Sequence, residues 1–140
     1  MQTRGVFVPE TEAEARERYE RLGPVAQTVV RETAKGMAFD REEYDERVTP
    51  EVVARVHDAL FASLLSVTVG TADEFEAWMD DHDGDAVVVG SENVENVAWH
   101  APPFADAVAA TFQDEEDAAV ETLRRQAFGR IYRDRLHGES

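Results

Sequence analysis

The sequence predicts one α+β domain over residues 1–140: N-terminal helices, a three- to four-stranded, mainly antiparallel sheet, and a long C-terminal helix. Three observations predict it. Apolar residues recur at helical spacing as far as Leu64. The period switches to strict alternation in Leu65-Ser-Val-Thr-Val69. After Asp114 the helical period returns, with Val120, Leu123, Ala127 and Ile131 on one line. Residues 1–64 therefore read as mainly helical, 65–113 as the sheet part with one helix, and 114–137 as the final helix. Helices before strands, with no βαβ alternation, point to helices packed on one face of the sheet.

Each element has a local cause. Thr11-Glu-Ala-Glu14 is a capping box, and the helix it opens carries Glu12/Arg16, Glu14/Arg18 and Glu17/Arg21, acid before base at i,i+4. Leu22-Gly23-Pro24 predicts its end and a new helix with Pro24 in the first position. In that second helix Val25, Ala26, Val29, Val30, Thr33, Ala34 and Met37 form a wide stripe. Asp40 with Glu43 opens a short helix ending near Val48. Thr49-Pro50 opens a longer one, whose Val53, Val56, Leu60 and Leu64 face the core.

A strand over 65–70 follows, then a second capping box, Thr71-Ala-Asp-Glu74, and a helix with Phe75, Trp78, Met79 and His82 on one side. Ala86–Val89 is wholly apolar and reads as a buried strand. Ser91–Asn93 reads as a hairpin loop into a strand over 94–100, which Pro102-Pro103 ends. Residues 107–113 form a last strand, and Asp114 caps the final helix. Gly129 in mid-helix costs about 1 kcal/mol relative to Ala, which predicts a close backbone approach there.

Charge is the strongest compositional signal. The chain has 30 acids against 14 bases, a net charge of −16, and Lys35 is the only lysine. The distribution is uneven: between Arg55 and Arg124 there are 16 acids and no base, whereas elsewhere 14 acids balance 14 bases. Acids scattered over every helix fit adaptation to molar salt, where the Debye length falls to about 3 Å and self-repulsion is screened. The alternative is an acidic face that mimics nucleic acid or docks a basic partner. Either surface repels DNA and anionic lipid. The absence of cysteine excludes disulfides, zinc–thiolate sites and thiol catalysis. No apolar run is long enough to span a membrane, and the opening residues carry no secretory pattern, so a cytoplasmic location is expected.

Candidate sites are few. Asp80-Asp-His-Asp-Gly-Asp85 has the look of a calcium loop. With Gly84 in the sixth position, however, Met79 and Gly90 stand where the first ligand and the bidentate glutamate must be. It reads as a solvated turn, and no metal is expected. His57, His82, His100 and His137 show no ligand spacing. Trp99, His100 and Asn96, beside the Pro-Pro bend, are the candidate lining of a pocket. Phe128 and Tyr132 are the candidates for an exposed apolar interface. Arg124, Arg125, Arg130, Arg133 and Arg135 form the one basic cluster, expected to bridge the chain's own central acids. Helices at 24–38, 40–48 and 50–64 loosely suggest a winged-helix layout, but Arg55 is the only base on the third. No phosphate loop, nucleophile elbow or placed carboxylate pair occurs, so no catalytic residue and no cofactor is expected.

The acidic, lysine-poor chain resembles a family of small haloarchaeal proteins of unassigned activity, through "VAWHAPPF" and "ATFQDEEDAAVETLRRQAFGRIYRD". The resemblance implies a cytosolic protein of a salt-in organism and carries no catalytic residues with it. The expected function is that of a non-enzymatic interaction protein, self-associating through an apolar helix face. The alternative is a small-molecule binding protein or enzyme with its pocket at Trp99 and His100.

Overall fold

The computed structural model describes residues Met1–His137. The chain runs β1 (Gln2–Arg4), α1 (Glu12–Gly36), α2 (Arg41–Arg47), α3 (Pro50–Leu64), β2 (Val67–Thr71), α4 (Ala72–Asp81), β3 (Ala86–Val89), β4 (Asn96–His100), β5 (Ala107–Phe112) and α5 (Glu116–Ala127). A π-helical turn, Phe128–Tyr132, joins α5 to α6 (Arg133–His137). The α+β class is as expected, with helices in the N-terminal half, a mixed sheet, and a C-terminal helix.

The sheet has five strands in the order β1-β2-β4-β5-β3. The short β1 is the addition: it pairs antiparallel with β2, placing Gln2 opposite Val69. Gly5 lets it turn away, at a φ of +123°, where a side chain would strike the Leu65 carbonyl. β3 corrects two expectations. It pairs parallel with β5, not with β4, so 91–93 is no hairpin loop. It is also an edge strand, leaving Val87 37% and Val88 50% exposed. An uninterrupted valine run meant burial only if a neighbour lay on both sides, and β3 has one.

Helices cover both faces of the sheet, not one. α1, α3, α5 and the π turn bury Val67, Val69, Ala98, Val108 and Ala110. On the reverse face Val97, Trp99 and Ala109 meet Phe75 and Trp78 of α4. The central strands dictate this, because β4 and β5 are apolar at consecutive positions and leave neither face fit for water.

α1 is continuous through Pro24. Its buried residues, Ala15, Ala26, Val30 and Ala34, lie on both sides of the proline and make one face against α3. That burial outweighs the hydrogen bond Pro24 cannot give. Gly23 lies beside the His57 ring, 3.7 Å from where a Cβ would stand, and so sits at the crossing of α1 and α3 rather than ending a helix. On α3 the expected line is half-buried, and the residue driven fully inward is Phe61, at 0% exposure.

Thr11, Asp40, Thr49 and Thr71 cap their helices as expected, and Thr71 with Glu74 forms a complete capping box. Asp114 does not cap α5. The helix starts two residues later, with Glu115 at the cap position and no side-chain bond. Gly129 falls in the π turn with only the Arg133 side chain near it, so no close backbone approach explains it.

Candidate functional site

An apolar groove of about 270 Å³ lies between the second half of α1, α2 and the start of α3. Val30, Met37, Phe39, Val48, Val52 and Val56 line it. The one charged lining residue, Arg47, lays its guanidinium over the Phe39 ring at 5.6 Å. Along one wall of the groove Val29, Thr33 and Met37, continued by Val25, are all exposed and step by four residues along α1 and its C-cap. Such a row is a ridge, the unit by which one helix packs into another. The stripe read from the sequence is thus split. Ala26, Val30 and Ala34 face α3, while Val25, Val29 and Met37 are left to solvent.

The ridge ends in an unusual backbone. Ala38 follows α1 with φ of +55°, a left-handed conformation that normally selects glycine. It reverses the chain so that Phe39 folds back into the groove, before Asp40 caps α2 through the Glu43 N–H at 2.8 Å.

The residues marked as pocket candidates are not brought together. Trp99 and His100 are adjacent on β4 and therefore point to opposite faces. Trp99, 2% exposed, packs its ring at a tilt against Phe75 and Trp78. His100, 1% exposed, points into the main core. Its Nδ1 bonds the Ser66 carbonyl and its Nε2 the Tyr132 hydroxyl, each at 2.7 Å. Burial lowers its pKa to about 4, with the Ser66 carbonyl opposing the shift and Arg124 adding to it. Asn96 alone reaches a surface cleft, and its amide donates to the Gln113 carbonyl.

The interface candidates are core residues. Phe128 is 3% exposed and Tyr132 0%, and both pack their rings on Phe61. They cannot form an exposed patch. Both lie in the π turn, which a 3.6-residue pattern does not register.

The basic cluster does not bridge the central acids. Arg124 Nε bonds the Leu65 carbonyl at 3.0 Å, Arg125 the Thr122 hydroxyl, Arg130 the Gln126 amide oxygen and Arg135 Glu12. Arg133 lies over the Phe128 ring. The central acids are met instead by Arg4, from the unpredicted β1, at 3.0 Å from Glu116 and 2.9 Å from Asp117, and by the N-terminal ammonium, at 3.1 Å from Glu74.

Two features lay outside the sequence reading. At the junction of α1, α3 and α6, Tyr19 donates to Asp58 at 2.7 Å, and His137 Nε2 lies 2.8 Å from the same carboxylate. His57 stacks on Tyr19 at 3.7 Å. Burial, then the Asp58 contact, pushes the Tyr19 hydroxyl pKa upward. These contacts clasp α6 to α1 and α3. The second feature is an open cleft of about 570 Å³ beside Gly90, Thr111 and Gln126. Val89, Ala110, Phe112 and Ala119 make much of its wall apolar, with Asp114 and Glu115 on its lining beside them.

Around Asp80–Asp85 the chain turns as expected between α4 and β3, with Asp80, Asp81, Asp83 and Asp85 exposed. Among the described residues no group of three or more His, Asp or Glu side chains is placed to hold a metal ion. The winged-helix layout is not formed. α3 packs between α1 and α5, and the strand after it enters the sheet interior. No helix among the described residues is long and apolar enough to cross a membrane.

No curated protein and no solved structure matches the chain. A family model described as a family of unknown function, DUF5809, matches residues 6–133, nearly the whole described fold. The chain belongs to that family.

Proposed function

We propose that the protein is a non-enzymatic interaction protein that pairs with a second copy of itself through the α1 ridge and the adjoining groove, in a high-salt cytoplasm. The observation that carries the reading is the solvent exposure of Val25, Val29 and Met37 in a row on α1, at 45%, 39% and 62%. An apolar row of about three turns along the wall of an apolar groove is not ordinarily left exposed without a use for it.

Charge argues for a second copy as the occupant. Residues 24–56, which build this surface, carry 7 acids and 5 bases, whereas the stretch between Arg55 and Arg124 is acidic throughout. Two chains of net −16 approach with least repulsion through their balanced surfaces. A ridge of i+4 steps is also self-complementary under a two-fold axis, the usual symmetry of homodimers.

Sedimentation equilibrium in molar KCl tests the proposal. A dimer is expected for the parent chain and a monomer for Val29→Glu combined with Met37→Glu, with unchanged circular dichroism. A monomeric parent chain, or a dimer indifferent to both changes, overturns it.

A further inference from the structure

We propose that the outer edge of β3 is a second docking site, which takes an extended strand of another protein with an apolar centre and Lys or Arg at its ends. This site does not depend on the α1 surface. β3 closes the sheet on one side, and among the described residues only β5 pairs with it. Asp85 accepts from the Ala107 N–H at 3.0 Å, which sets the ladder. In a parallel pair alternate residues bond the neighbour, so Asp85, Val87 and Val89 face β5. The N–H and C=O groups of Ala86 and Val88 therefore point away from the sheet, with no partner among the described residues.

Soluble proteins guard such edges with lysine, proline or an inward charge. β3 is short, at four residues, but has none of these within it: it is Ala-Val-Val-Val, with Val87 and Val88 half-exposed on opposite faces. An added strand would bond the free backbone groups and cover a valine on either side of the sheet.

Charge selects the occupant. Exposed Asp81, Asp83 and Asp85 precede the strand, exposed Glu92 and Glu95 follow it, and exposed Asp106 adjoins the start of the neighbouring β5. No base occurs in this part of the sequence. A second copy adding its own β3 would set these carboxylates against their duplicates, which like-charge repulsion disfavours. A strand with basic ends meets acid at both ends of the edge, and the match would speed encounter as well as fix register.

The test uses the full chain and two labelled peptides, Lys-Arg-Val-Thr-Val-Thr-Arg-Lys and its counterpart with Glu and Asp in place of the bases, followed by fluorescence anisotropy. The basic peptide is expected to bind and to slow hydrogen exchange at the Ala86 and Val88 amides. The acidic peptide is expected to bind at least about tenfold more weakly, a gap that shrinks as KCl rises. Val88→Pro removes an outward N–H while sparing the β5 ladder, and should weaken binding about tenfold at unchanged thermal stability. Should that variant unfold, Asp85→Asn with Glu92→Gln serves instead, lowering affinity and flattening its salt dependence. Equal binding of both peptides, or exchange protection away from β3, overturns the proposal. So does loss of self-association in Val88→Pro, which would make a second copy the occupant. Loss of the dimer on changing Val29 and Met37 bears only on the α1 surface.

Discussion

Tyr132 and His100 share a hydrogen bond of 2.7 Å in the centre of the core, and the pair is complete only with the Ser66 carbonyl on the other ring nitrogen. A carbonyl only accepts, so Nδ1 carries the proton and donates to Ser66. Nε2 then accepts from the Tyr132 hydroxyl, whose own ionisation burial has pushed upward. The neutral imidazole is therefore the fit form. The folded pKa, about 4, lies below the usual 6.5, so the unfolded chain binds a proton that the folded chain refuses.

The sign follows from that difference. The full stability is present above pH 6.5, declines as pH falls toward 4, and loses no more to this group below that value. The loss reaches about 3 kcal/mol at roughly 1.4 kcal/mol per pKa unit. Chemical denaturation at a series of pH values checks it. In His100→Gln, which keeps polar partners for Ser66 and Tyr132, the slope between pH 6.5 and 4 should flatten. A slope unchanged by that substitution would remove His100 as its source.

Arg124 makes a second expectation specific. Its Nε bonds the Leu65 carbonyl at 3.0 Å and its Nη2 approaches the Arg4 carbonyl at 3.4 Å, so one guanidinium ties α5 to β1 and to the end of α3. Burial, then the neighbouring Arg4 charge, holds its pKa below the usual range. Arg124→Ala should cost about 1–2 kcal/mol, the value of a charge-assisted bond reduced by the group's partial exposure to water. Arg125→Ala, whose partner is the exposed Thr122 hydroxyl, should cost under about 0.5 kcal/mol. Urea melts of the two variants make the comparison, and equal losses would refute it.

Legibility in the sequence tracked how local each cause was. The four caps at Thr11, Asp40, Thr49 and Thr71 are decided within four residues and were all readable. The buried line Val120, Leu123, Ala127 and Ile131 was readable because helical spacing reports a face directly. Gly23-Pro24 misled because their cost is local, whereas the compensation comes from α3, distant in sequence. Ala86–Val89 misled for the converse reason: its composition says strand, but whether a strand is central depends on which neighbours it finds. The site fared worst. Phe128 and Tyr132 lie in a π turn, where helical spacing no longer reports the face directly. The apolar row Val25, Val29 and Met37 was visible as part of a stripe, but its division into a packed and a free half needed the position of α3.

Ala38 yields a stabilising prediction. At φ of +55° it occupies a conformation that costs a residue with a Cβ about 1–2 kcal/mol. Ala38→Gly removes that strain and loses about 0.4–1 kcal/mol through the greater freedom of the unfolded chain. The net expectation is a gain of about 0.5–1 kcal/mol, seen as a raised thermal midpoint. Gly36 lies within α1, so Gly36→Ala should also stabilise, through helix propensity and with no contact to disturb. A drop in midpoint for Ala38→Gly would mean that the left-handed turn is not strained in solution.

Salt and calcium separate two explanations of the acidity. The central stretch has 16 acids and no base, and the carboxylates of Asp80, Asp81, Asp83 and Asp85 are all exposed. If the acids act as a diffuse field, raising KCl from about 0.1 M to about 3 M should lift the thermal midpoint steadily, as the screening length contracts from about 10 Å to under 3 Å. Low calcium should then add only what its ionic strength supplies, because no ligand set is assembled among the described residues. A specific site behaves differently. It binds the native state and raises the midpoint by mass action, with a dependence on free calcium that molar KCl does not erase. Scanning calorimetry in KCl alone, with added calcium and with a chelator distinguishes the two. Asp83→Asn gives the internal control: under the diffuse field it should be neutral or slightly stabilising at low salt, since it removes one repelling charge, whereas at a binding site it would abolish the calcium increment.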